Sequence, residues 1–120
     1  MLDTNLDVEK LKKLQFKIMK DVAASALIPL MRIGDQLGLF QKLSALGPIT
    51  SKNFAEEAKV DERYLREWLY ALSATDFVSY DGEKEEFSLS PEQKAVFADE
   101  EGPANMLGAY EVLAGQVYAE

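Results

Sequence analysis

The 120-residue chain contains no cysteine and no histidine. Without them it has no disulfide, no thiol nucleophile and no imidazole base, and the ligand sets of most transition-metal sites are excluded. Long apolar runs are missing too, because the longest, Val22–Met31, is far shorter than the roughly 20 residues that cross a bilayer. The first residues do not form a signal-peptide pattern, since Asp3 and Asp7 precede the lysines. We therefore expect a cytoplasmic protein without a membrane span or a metal site.

Positive charge is scarce and unevenly placed. The chain has 13 basic and 21 acidic residues, and residues 61–90 hold three basic residues against eight acidic ones, a balance of −5. A surface that binds duplex DNA needs excess positive charge to displace the counterions of the phosphates. Five lysines cluster between Lys10 and Lys20. They are typical of a solvated helix face, although they could also contact phosphates from outside a DNA-reading motif.

The first 46 residues predict helices with very different surroundings. Apolar residues at helical spacing among those lysines predict an amphipathic opening helix over residues 1–22. From Ala23 to Leu46 the helical pattern has almost no polar face, and Pro29 favours a kink or a break nearby. A small domain buries so much apolar helix with difficulty. Either a second chain or domain covers it, or it is the buried centre of a monomer.

The middle of the chain predicts a helix-turn-helix. Thr50 or Ser51 can cap a short helix, and Asp61 is a good N-cap for the next one. In that second helix the core-facing stripe is formed by Leu65, Trp68, Leu69 and Leu72. An aromatic residue on such a stripe is more often a core anchor than a ligand platform.

Two short alternating segments follow, Phe77–Tyr80 and Glu86–Leu89, and the five residues between them suit a hairpin loop. Ser90 and Gln93 then form the pattern of a capping box. A further helix is predicted from Gly102-Pro103 to the last residues. The fold class is therefore mainly α: a winged helix, with a helix-turn-helix and a two-stranded β-wing, plus additional N-terminal and C-terminal helices.

Several motifs resemble a known family. They are the G-x-x-LGL pattern of Gly34–Leu39, the R-Y-x-R-E-W-L run of Arg63–Leu69, and F-S-L-S-P-E-Q of Phe87–Gln93 followed by A-D-E-E-G-P. In this order the chain resembles, from about Ala23 to Gly102, the N-terminal region of bacterial S-adenosylmethionine-dependent methyltransferases with a winged-helix front end. The resemblance implies a dimerising domain that precedes a Rossmann-like catalytic domain.

The resemblance divides the chain into the opening helix at 1–22, a winged-helix dimerisation domain at 23–99, and a helical linker toward a catalytic domain at 100–120. The glycines are scattered, and none forms the glycine-rich turn after a strand that a Rossmann-like cofactor site needs. We therefore expect no catalytic, cofactor-binding or metal-ligating residue in this segment, although the parent protein would use S-adenosylmethionine. The expected partners are a second copy and the downstream domain. A small winged-helix transcriptional regulator and a ligand-free oligomerisation scaffold are the alternatives.

A few residues are candidates for contacts. Tyr64 lies one position off the core stripe and is a candidate substrate contact, although tyrosines at such positions are usually packing residues. The dimer interface candidates are Leu27, Leu30 and Met31, beside Pro29. Arg63 and Glu67 are spaced for an intrahelical ion pair.

Overall fold

The fold is described by a computed structural model covering residues 4–118. Residues 1–3 of the predicted opening helix and residues 119–120 of the predicted linker lie outside this range. The described elements are helices α1 (Val8–Ser25), α2 (Leu27–Gln36), α3 (Leu39–Leu46), α4 (Ser51–Ala58), α5 (Glu62–Ala74), α6 (Pro91–Phe97) and α7 (Leu107–Tyr118), with strands β1 (Ile49–Thr50), β2 (Ser79–Asp81) and β3 (Glu86–Ser88).

The apolar stretch from Ala23 to Leu46 is not one helix. Its first three residues complete α1, which extends three residues past the predicted boundary. The rest of the stretch forms α2 and α3. The first break falls at Ala26, and Pro29 occupies the third position of α2, where a backbone N–H has no partner inside the helix. The second break falls at Gly38, whose φ of 65° is in the left-handed region that favours glycine.

The predicted core stripe of α5 is confirmed, because all four of its residues are buried. Trp68 packs against Phe40 of α3, with ring centroids 5.2 Å apart. Its indole Nε1 donates a hydrogen bond of 2.8 Å to the backbone carbonyl of Leu30. Trp68 is thus a core anchor that ties α5 to α2 and α3.

The wing belongs to a three-stranded antiparallel sheet in the order β1-β3-β2. Phe87 of β3 is buried and pairs with Ile49 of β1 on one side and with Tyr80 of β2 on the other. The sequence predicts only the two strands of the hairpin. The third, β1, has two residues, too few for an alternating pattern to be visible.

The capping box at the start of α6 is confirmed, and it also holds the wing. Gln93 accepts a hydrogen bond of 2.8 Å from the backbone N–H of Ser90 and one of 3.0 Å from the hydroxyl of Ser79. Its amide nitrogen donates to the carbonyl of Asp76 at 2.8 Å. One side chain therefore connects the start of α6, strand β2 and the turn after α5.

Replacing Gln93 with alanine should lower the free energy of unfolding by about 2 kcal/mol, because two half-buried hydrogen bonds and one exposed hydrogen bond are lost. Glu92→Ala is the matched control. That exposed neighbour interacts mainly with the helix dipole and should cost about 0.5 kcal/mol. Urea unfolding followed by circular dichroism measures both, and equal losses would contradict the proposed connection.

Helix α7 begins later than predicted. Gly102 and Pro103 lie in a turn, and the side chain of Asn105 accepts a hydrogen bond of 3.0 Å from the backbone N–H of Leu107, where the helix starts. Helix α7 packs against α2, and Glu111 lies 3.3 Å from the guanidinium of Arg32. The segment predicted as a linker thus folds back onto the winged-helix body.

Candidate binding groove and exposed opening helix

An open groove of about 550 Å³ lies between α2 and α5. Trp68 and Leu65, both buried, form part of its floor. One side of the groove is formed by Ile33 of α2 and by Leu37, which directly follows α2; they are 45% and 48% exposed. The complete lining is Leu30, Ile33, Leu37, Leu39, Val60, Asp61, Tyr64, Leu65, Glu67, Trp68 and Ala71. A groove of this composition favours apolar contacts.

Only two of the residues that line the groove are charged, Asp61 and Glu67, and both are acidic. The Asp61 carboxylate accepts hydrogen bonds from the backbone N–H groups of Arg63 at 2.9 Å and Tyr64 at 3.3 Å, as the predicted N-cap of α5 should. The charged residues of the groove are therefore all negative, whereas the rest of its lining is mostly apolar.

The predicted substrate contact, Tyr64, lies on this groove. Its side chain is 74% exposed. It is therefore free to contact a molecule or a protein surface that covers the groove. The ion pair observed on α5 joins Arg66 to Glu62 at 3.2 Å, whereas the expected pair was Arg63 with Glu67.

The predicted interface residues are not equivalent. Leu27 and Leu30 are half-buried and pack against the edge of the core, and Leu30 also lines the groove. Met31 is fully buried inside the single chain. Because its side chain is already covered by the chain's own core, Met31 is not available to a partner in this structure. The sequence predicts Met31 at the interface because it lies beside Pro29, where a kink would let two helices cross closely.

Helix α1 is the most exposed element among the described residues, and none of its residues is buried. A helix advances 100° per residue, which places five exposed apolar side chains along one side of it. They are 52–70% exposed. We call them the α1 stripe: Val8, Leu14, Ile18, Met19 and Val22.

The residues that line the groove could have been recognised in the sequence. Leu30, Ile33 and Leu37 stand at i, i+3 and i+7, the spacing of one helix face. That signal was hidden because the surrounding sequence is apolar on nearly every face. The joining of this face to Val60 and Tyr64 depends on how α2 packs against α5, which no local pattern encodes.

A second hollow of about 420 Å³ lies beside the wing. The rings of Tyr70 and Tyr80 are 5.7 Å apart, and Tyr80 lies 4.6 Å from the ring of Phe87. A hydrogen bond with Tyr70, followed by desolvation, raises the pKa of Tyr80 above its usual value. The Tyr80 phenol therefore stays neutral and packs against Tyr70 and Phe87 in support of the wing.

Among the described residues, no group of three or more acidic, histidine or cysteine side chains could hold a metal ion. Nor does any helix in residues 4–118 have the length and hydropathy required to cross a membrane.

The fold can now be compared with known proteins. The family of Rv2258c-like winged HTH domains matches residues 23–98. The chain belongs to this family. The match confirms the winged-helix fold class and covers all of the winged-helix body, while most of α1 and all of α7 lie outside it. No curated protein sequence matches the chain.

Solved structures extend the comparison beyond the Rv2258c-like domain. LepI in complex with SAM is similar with a TM-score of 0.61 and 18% identity, over 74% of this chain and 25% of that one. A LepI variant with SAH and a substrate analogue gives 0.60 and 20%, over 73% and 24%. A structure described as a pericyclic reaction enzyme gives 0.60 and 19%, over 72% and 24%. The chain thus spans about a quarter of each of these proteins and shares the fold of that part.

Proposed function

We propose that this chain is the N-terminal dimerisation and substrate-covering domain of a methyltransferase that uses S-adenosylmethionine. The observation that carries the proposal is the similarity of its winged helix to about a quarter of LepI, a protein whose structure contains SAM. The remaining length of such a protein would provide the cofactor site. We place the parent protein in the cytoplasm, as a homodimer.

The groove between α2 and α5 supports the substrate-covering role. It has an apolar floor and an exposed phenol, that of Tyr64, at its edge. Small-molecule sites have volumes of about 300–1,000 Å³ and bury most of their ligand. The groove has a suitable volume of about 550 Å³, and another surface must close it before it can enclose a ligand.

The proposal predicts a parent reading frame in which a catalytic domain follows Glu120. It should encode a strand followed by a glycine-rich turn, and an acidic residue beyond it for the ribose hydroxyls. Calorimetry on the 120-residue chain should then give no heat with S-adenosylmethionine beyond that of dilution, whereas the full-length protein should bind one molecule per subunit. One-to-one binding by the 120-residue chain would contradict the placement of the cofactor site in the downstream domain. A reading frame without such a turn would contradict the proposal as a whole.

The alternative, a small winged-helix transcriptional regulator, predicts that the chain binds duplex DNA, whereas the proposed methyltransferase domain does not. Helix α5 and the wing carry the balance of −5 over residues 61–90, and Arg66 is already paired with Glu62. Because phosphate contacts dominate affinity for DNA, we expect no sequence-dependent binding tighter than about 1 µM, even at low salt. Fluorescence anisotropy with random and palindromic duplexes measures this. Sub-micromolar binding that depends on sequence would favour the regulator.

A further inference from the structure

The hollow beside the wing has two aromatic walls. The rings of Tyr70 on α5 and Tyr80 on β2 stand at 77° to each other, with their centroids 5.7 Å apart. The two side chains are 44% and 39% exposed, so a ligand can reach both rings from solvent. A cation is attracted to the face of a phenol ring when it lies within about 6 Å of the ring centroid. A single cation in the corner between these two rings can therefore contact both.

The two serine hydroxyl groups that line this hollow are left as hydrogen-bond acceptors. The Ser73 hydroxyl donates its proton to the backbone carbonyl of Tyr70 at 3.0 Å. The Ser79 hydroxyl donates its proton to Oε1 of Gln93, also at 3.0 Å. A hydroxyl group has one proton and two lone pairs, so only acceptor capacity remains on these oxygens. A ligand that meets them has to bring hydrogen-bond donors.

Asp76 provides the charge of the hollow. It is the only charged residue in the lining, and in the part of the chain that the structure describes no lysine or arginine forms an ion pair with its carboxylate. Its backbone is held in place, because its N–H donates to the carbonyl of Ser73 at 3.2 Å and its carbonyl accepts from Gln93 at 2.8 Å. Residues 61–90, which contain most of this lining, carry a balance of −5. The potential at the hollow therefore favours a cation over an anion.

We propose that this hollow is a binding site for a small organic ammonium ion. The charged nitrogen lies in the corner between Tyr70 and Tyr80, and its N–H groups donate to the Asp76 carboxylate and to the oxygens of Ser73 and Ser79. The volume of about 420 Å³ is that of a small-molecule site. The hollow shares no lining residue with the groove between α2 and α5, so the inference is independent of the substrate-covering role.

Benzylammonium chloride and benzyl alcohol are matched probes for this site, because they have the same ring and nearly the same size and differ in charge. Titrations of the isotope-labelled chain are followed by two-dimensional NMR. Benzylammonium should give saturable shifts with a Kd of about 1 mM, and benzyl alcohol should bind at least about ten times more weakly. The largest shifts should fall on the backbone amides of Ser73, Asp76, Ser79 and Tyr80.

Two substitutions test the charge and the ring separately. Asp76→Asn removes the charge and keeps a residue that tolerates the left-handed backbone at this position, where φ is 63°. It should weaken benzylammonium binding about tenfold and leave benzyl alcohol binding unchanged. Tyr80→Leu should also weaken benzylammonium about tenfold, whereas Tyr80→Phe keeps the ring and should bind it within about twofold of the unmodified chain. Glu56→Gln is the matched control, because it removes an exposed carboxylate that does not line the hollow and should change neither affinity by more than about twofold.

Three results would overturn the proposal. The first is equal affinity for benzylammonium and benzyl alcohol, which would show that charge is not recognised. The second is equal binding of benzylammonium by Asp76→Asn and by the unmodified chain. The third is a set of shifts centred on Tyr64 and Leu37, which would place the amine in the groove between α2 and α5. The absence of any saturable shift at about 20 mM benzylammonium, well above the expected Kd, would equally overturn it.

Discussion

Replacing Ile18 with aspartate should convert the chain from a dimer to a monomer. Ile18 lies in the middle of the α1 stripe and is 52% exposed in the single chain. A carboxylate buried there without a partner costs at least about 2 kcal/mol, and a twofold dimer buries it twice. A total of about 4 kcal/mol weakens the dimer about a thousandfold. Light scattering at about 10 µM should show the unmodified chain as a dimer and Ile18→Asp as a monomer with the same helix content.

Ala24→Asp is the control for this change. It introduces the same carboxylate into the same exposed helix, on the side away from the stripe, and should leave the dimer intact. Leu30→Asp is less informative, because Leu30 packs against the core and its replacement would also destabilise the fold. If light scattering shows the unmodified chain to be a well-folded monomer, the proposed homodimer does not form.

The parts that were predicted well are those with a local signal. The stripe of α5 repeats every three or four residues, and the capping box of Ser90 and Gln93 is complete within four residues. Strand β1 was missed because its two residues become a strand only by pairing with Phe87, far along the chain. The predicted start of helix α7 is too early, because Gly102-Pro103 has the composition of a helix start, whereas the side chain of Asn105 caps the helix.

The candidate site was predicted only in part, for a related reason. Tyr64 was singled out from its position beside the stripe, and it does lie on the groove. The opposite wall, Ile33 and Leu37, was not, since a helix with apolar residues all round does not indicate which face another helix covers. That choice is made by tertiary packing. In this fold, Trp68 and Gly34 determine how closely α5 and α2 approach.

Replacing Gly34 with alanine should strongly destabilise the winged-helix domain. A Cβ atom at this position would lie 2.6 Å from the Trp68 ring and 2.7 Å from the Phe40 ring. Neither ring can move aside easily, because both are in the core and the Trp68 indole is hydrogen-bonded to the Leu30 carbonyl. Overpacking of this kind costs about 1–3 kcal/mol, sometimes more, and exceeds the gain of up to about 1 kcal/mol that alanine brings to a helix.

Gly108→Ala is the matched control, because Gly108 is also in a helix and nothing lies within 4 Å of its added Cβ. That substitution should be neutral or stabilise the protein by up to about 1 kcal/mol. Each kcal/mol shifts the melting temperature of a domain this small by about 4–8 °C, so thermal unfolding monitored by circular dichroism separates the two variants easily. Fluorescence of Trp68, the only tryptophan, should also change in Gly34→Ala and stay unchanged in Gly108→Ala. If both alanine variants melt higher than the unmodified chain, α2 does not approach Trp68 closely, and the groove between α2 and α5 does not have the shape described above.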